Sequence, residues 1–64
     1  MATMHDVMLV LGVAADYEID AISLTNAGEI MVRGGSVTEY YDTAEEAIGA
    51  IRASWRIDDG EVRS

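Results

Sequence analysis

Cysteine and lysine are both missing from this 64-residue chain, and histidine occurs once. Without cysteine there is no disulfide framework and no thiolate metal site. Without lysine, the four arginines (Arg33, Arg52, Arg56, Arg63) face twelve Asp and Glu residues alone, for a formal net charge of −8. Phosphate contacts require Lys and Arg, so direct nucleic-acid binding is not expected. No apolar run approaches the ~20 residues of a membrane span. His5 and Asp6 interrupt what would be the apolar core of a signal peptide. A cytoplasmic protein with no membrane partner is expected.

Half of the residues are apolar, which separates the chain from charge-rich disordered tails. Its length allows one small domain over residues 1–64. A domain of this size buries only about 60% of its unfolded surface, and natural examples add disulfides, a metal or a second subunit. Self-repulsion of the net charge narrows the margin further. With disulfides excluded and metal ligands poor, close packing or dimerisation through an apolar face is expected.

The clearest local pattern lies late in the chain. Thr43-Ala44-Glu45-Glu46 fits a capping box, in which Thr43 accepts from the Glu46 amide and Glu46 reaches back to Thr43. Ala44, Ala47, Ile48, Ile51 and Trp55 follow at helical spacing, with acids in the first turn and Arg52 and Arg56 toward the last. This predicts a helix over 43–57, ended by Asp58-Asp59-Gly60. Upstream, Ile22–Thr25 and Glu29–Val32 flank the loop Asn26-Ala27-Gly28, as a hairpin would. Gly34-Gly35 marks a second turn, and Val37–Tyr41 forms a third strand. The first strand is placed near Glu18; its apolar residues change phase at Ala21, through a bulge or a later start. Met4, Val7, Met8, Leu11 and Ala15 line up on one helical face, while Val7–Leu11 also reads as a buried strand. The helix is favoured. The expected fold is α+β: a three-stranded antiparallel sheet with an N-terminal and a C-terminal helix on one face, in the order α-β-β-β-α.

Catalytic and metal-binding patterns are weak. His5 has only Asp6 beside it in sequence, and adjacent helical residues do not face each other. Ser23, Ser36 and Ser54 lie in no nucleophile motif. Asp58-Asp59-Gly60-Glu61 lacks the spacing of a calcium loop, and Gly34-Gly35 lacks the lysine and helix start of a phosphate cradle. No enzyme activity, cofactor or metal is expected. Trp55 reads as core, and of Tyr40 and Tyr41, on opposite faces of a strand, one reads as core and the other as exposed.

The carboxylates are the most informative set. Asp16, Glu18 and Asp20 alternate, so in an extended chain they share one face about 6.5 to 7 Å apart. Glu29 lies across the hairpin, Glu39 and Asp42 on or just after the third strand, and Glu45 and Glu46 at the start of the helix. Four arginines cannot neutralise twelve acids. A surface so charged either serves solubility or meets a basic groove, with encounter accelerated by steering.

In size, acidity and lack of a catalytic motif, with Asp16, Glu18, Asp20 and the other carboxylates as a class, the chain resembles small phage-encoded anti-CRISPR inhibitors that act as DNA mimics. The likeness implies a partner that is a basic nucleic-acid-binding protein, a CRISPR effector complex in the host bacterial cell. Separately, Gly35-Ser36-Val37-Thr38-Glu39-Tyr40-Tyr41-Asp42-Thr43-Ala44-Glu45-Glu46-Ala47 is similar to the strand-to-helix passage of HicB-like antitoxin domains. That likeness implies an interaction module, and its departure is an N-terminal helix where that family begins with a strand. The expected contact residues for an acidic inhibitor are Asp16, Glu18, Asp20, Glu29, Glu39, Asp42, Glu45 and Glu46. The alternative is an antitoxin-like or homo-oligomeric module that works through an apolar surface.

Overall fold

In the computed structural model, which describes residues 1–57, the chain forms α1 (Met4–Ala14), β1 (Ala21–Leu24), β2 (Ile30–Gly34), β3 (Val37–Tyr41) and α2 (Ala44–Ser54). This is the expected α-β-β-β-α order, with Val7–Leu11 in a helix rather than a strand. The stop at Asp58-Asp59-Gly60 and the acid at Glu61 lie outside the described residues.

Both helices are set by their caps. At α1, the Thr3 N–H donates to Asp6 Oδ2 at 2.8 Å, and Asp6 N–H donates to Thr3 Oγ1 at 3.3 Å. That completes a capping box, which satisfies two amides the helix itself leaves unpaired. At α2, Glu46 N–H donates to Thr43 Oγ1 at 3.1 Å as expected. The Glu46 carboxylate, however, passes Thr43 and accepts from the Asp42 N–H at 3.4 Å. The α2 helix is also shorter than 43–57. Trp55 is its C-cap in extended conformation (φ −102°, ψ 152°), which leaves Arg52 as the only base in its last turn.

The sheet is antiparallel in the order β1-β2-β3. Ile22 pairs with Val32 and Leu24 with Ile30; on the other side Val32 pairs with Glu39 and Ile30 with Tyr41. Because side chains alternate along a strand, these residues share one face. Ile30 and Val32 are fully buried there with Val7, Val10 and Ala14 of α1 and Ala44, Ala47 and Ile51 of α2. Each buried Val or Ile contributes about 1.5–3 kcal/mol. Ser23, Met31, Arg33, Thr38 and Tyr40 occupy the opposite face, and no described element covers it. Tyr40 is exposed and Tyr41 packs against the core, as their strand positions require.

The turns explain two glycines. Gly28 (φ 80°) closes a turn in which its N–H donates to the Thr25 carbonyl at 3.0 Å. Gly35 (φ 63°) opens the two-residue loop between the paired Gly34 and Val37. Among the described residues no non-glycine residue has positive φ, so this loop is of type II′, which needs glycine at its first position.

Two further expectations are corrected. β1 starts at Ala21, not near Glu18, so a later start and not a bulge accounts for the phase change. On α1, burial selects Val7, Val10 and Ala14, whereas Met4, Met8 and Leu11 are 60%, 68% and 46% exposed. The helix is apolar around most of its circumference, so spacing alone could not say which stripe would meet the sheet.

Candidate functional site

The carboxylates expected to share a strand face do not do so. Residues 16–20 fold back on themselves. Ile19 N–H donates to the Tyr17 carbonyl at 2.8 Å, Glu18 N–H donates to the Arg56 carbonyl at 2.9 Å, and Tyr17 bridges to Ile57. Residues 17 and 18 are held by the chain leaving α2, while Asp20 is held by β2 and the turn that follows it. Asp20 points to the β2–β3 turn, where its Oδ2 accepts from the Gly35 N–H at 3.0 Å. Its own N–H donates to the Arg33 carbonyl at 2.7 Å.

This folding brings Glu18 and Asp20 to a cleft that Glu39 also lines. The cleft has a volume of about 870 Å³ and opens between the 17–20 segment, the β2–β3 turn and the end of α2. Tyr17, Tyr41 and Trp55 supply its aromatic surface, and among the described residues Arg56 is the one cation that lines it, against three carboxylates. Gly34 makes the close approach there. A Cβ at this position would run into the Trp55 indole nitrogen and the Glu18 carbonyl. Glycine at 34 therefore lets Trp55 lie across the sheet end.

Glu39 has the most unusual placement. It stands opposite the fully buried Val32 on the helix-side face of the sheet, yet is itself exposed. Among the described residues the side chains of Glu39, Asp16, Glu29 and Glu45 have no hydrogen bond or ion pair. Two positions on, Tyr41 has its phenol pushed above the ordinary value of 10.0, first by burial and then by the negative charge of Glu39.

The remaining expected residues gather elsewhere. Asp16 is exposed just after α1 and does not line the cleft. Glu29, Asp42, Glu45 and Glu46 sit at the other end of the sheet, where β1 turns into β2 and β3 passes into α2. There Glu45 and Glu46 occupy the first turn of α2, and Glu46 is engaged in capping. Favourable interaction with the helix dipole explains both acids without a ligand.

Among the described residues the geometry offers no general acid–base pair at His5. That residue is exposed on α1, and the carboxylate of Asp6 is turned back to the Thr3 amide and hydroxyl. Among the described residues no group of His, Asp or Glu is arranged to hold a metal ion. No described helix is long and apolar enough to cross a membrane. What the cleft can do is receive a cation, because carboxylates accept charge-assisted hydrogen bonds while aromatic faces attract positive charge.

The pattern of the sequence pointed away from part of this site. Trp55 and Arg56 read as the last helical turn, and Tyr17 carried no signal. The Gly34-Gly35 pair was the usable clue, since only one of the two glycines is needed for the turn. No protein-family model, curated protein or solved structure matches the chain.

Proposed function

We propose that this protein is a non-enzymatic inhibitor that occupies a basic, nucleic-acid-binding site on a partner protein, with a CRISPR effector complex as the expected target. The single observation that carries the reading is the convergence of Glu18, Asp20 and Glu39 on a cleft walled by Tyr17, Tyr41 and Trp55. An arginine or lysine that normally grips phosphate finds there a carboxylate to bond and an aromatic face to lie against. The second acidic group, at Glu29, Asp42, Glu45 and Glu46, lies at the far end of the sheet. Strands of four and five residues separate the two groups by about 13–17 Å. Both groups therefore can meet one extended basic groove, and the excess negative charge speeds the encounter.

The test is capture on the immobilised chain from bacterial lysate containing CRISPR effector complexes, followed by challenge with duplex DNA and with salt. A nucleic-acid-binding protein that is released by both supports the proposal. A Glu39→Lys variant is expected to bind that protein about tenfold more weakly or worse, a loss of about 1.4 kcal/mol. Capture that survives DNA and high salt, or unchanged affinity in Glu39→Lys, overturns it.

A further inference from the structure

β3 is an outer strand of the sheet, and its free edge lies beside the acidic cleft. Register decides which backbone groups that edge presents. The Arg33 carbonyl is used on the β1 side, where the Asp20 N–H donates to it at 2.7 Å. Successive residues of a strand turn their backbone groups to opposite sides, so Val32 and Gly34 face β3. Their partners Glu39 and Val37 are thereby engaged, as is Tyr41 opposite Ile30. Thr38 and Tyr40 turn their N–H and C=O groups outward, and these have no partner among the described residues. Natural edges are closed by proline, lysine, a bulge or a covering segment. β3 contains neither proline nor lysine, and its pairing runs unbroken from Val37 to Tyr41. We propose that this edge receives an extended basic segment of the partner as a fourth strand, with an arginine or lysine of that segment opposite Glu39. The proposal rests on the acidic reading above and adds the form in which the partner binds.

Backbone and charge together select the occupant. A row of alternating N–H and C=O groups is matched by another peptide backbone, and side chains then decide which peptide. Val37, Glu39 and Tyr41 share the helix-side face of β3 and all line the cleft. In an added strand the side chain opposite Glu39 has its Cβ about 4.5–5.5 Å away, and so lies at the cleft. A cation there meets the Glu39 carboxylate, which has no hydrogen bond or ion pair among the described residues. The Tyr41 ring stands beside it. The same residue disfavours a second copy of the chain. Full antiparallel overlap of two β3 strands sets Glu39 against Glu39, and like charges directly opposite destabilise a sheet. The charge of −8 on each copy adds to that repulsion. The outer edge of β1 makes no comparable selection, because Ile22 and Leu24 pack against the core and no residue of β1 is charged.

The test uses the full chain, isotopically labelled, and a blocked heptapeptide read by amide spectra. The peptide has threonine at its odd positions, valine at the second and sixth, and arginine at the fourth. At millimolar peptide the Thr38 and Tyr40 amide signals are expected to move and their exchange with solvent to slow. The Glu39 amide, already paired to β2, is expected to keep its rate. The same peptide with glutamate for arginine is expected to bind about fivefold more weakly, a preference lost in Glu39→Gln. Two further arginine peptides carry N-methyl groups on alternate backbone amides, one for each phase. One of the two is expected to lose binding, because its bonds to the edge are blocked. Equal binding by both N-methylated peptides overturns the fourth strand, as does equal binding of the arginine and glutamate peptides. Partner capture that DNA and salt release, with Thr38 and Tyr40 unchanged by peptide, overturns the fourth strand alone. Capture that neither releases overturns the acidic reading and this proposal with it.

Discussion

Glu39 and Tyr41 stand on the same side of β3 because strand side chains alternate, and the spacing couples their charges. Burial is the larger reason that the Tyr41 phenol is held above 10.0, and the carboxylate of Glu39 is the second. A raised value means that the folded chain holds the proton more tightly than the unfolded chain. The associated stability is fully present below the unfolded value near 10.0 and is lost as pH climbs through the higher folded value. Unfolding free energy should therefore fall on the alkaline side of pH 10, and Tyr41→Phe should flatten that fall. Replacing Glu39 by Gln is expected to move the Tyr41 titration back toward 10.0 without reaching it, since burial remains. The phenolate absorbance of Tyr41, obtained as the difference between the parent and Tyr41→Phe in each background, reads the midpoint. An unmoved midpoint in Glu39→Gln would show that the two side chains are not coupled. The same measurement reports on the cleft, because both residues line it.

At the scale of elements, α1 depends on its cap. The Thr3–Asp6 pair satisfies two amides at once, so removing either side chain undoes one interaction in which both take part. Thr3→Ala is expected to cost about 1 kcal/mol, and Thr3→Ala with Asp6→Ala is expected to cost less than the sum of the two single changes. Urea midpoints of the three variants settle this, and strictly additive losses would mean that the box does not act as a unit. Cap chemistry, the type of each element and their order were legible because each depends on residues close together in sequence. The solvent stripe of α1 was not distinguishable from the buried one, since Met4, Met8 and Leu11 are as apolar as Val7 and Val10. Which stripe is buried depends on the later strands. The acids near Glu18 were misplaced for a related reason. Alternation at Asp16, Glu18 and Asp20 suggests a strand, but a strand needs a partner, and the neighbouring backbone of Arg56 and Ile57 imposes a different path. Glu39 was named on β3, but its position over the helix-side face follows from register with Val32, which no local pattern contains.

Across the whole molecule, a charge of −8 spread over 64 residues acts on folding and on binding in opposite directions. Like charges raise the energy of the compact state, because folding brings them together. Raising the salt shortens the screening length from about 30 Å at 0.01 M to about 8 Å at physiological strength, and so relieves more repulsion in the folded chain than in the expanded one. The melting temperature is expected to rise over that range. Contacts between the acidic cleft and the proposed basic partner would be screened by the same ions, so the affinity is expected to drop as the melting temperature rises. One salt series, read by thermal melting and by partner affinity, thus separates the two effects. Melting that falls with added salt would mean that attractive pairs, not repulsion, dominate the charge distribution of the folded chain. Affinity that holds constant while melting rises would place the partner's contact on apolar residues and away from Glu18, Asp20 and Glu39.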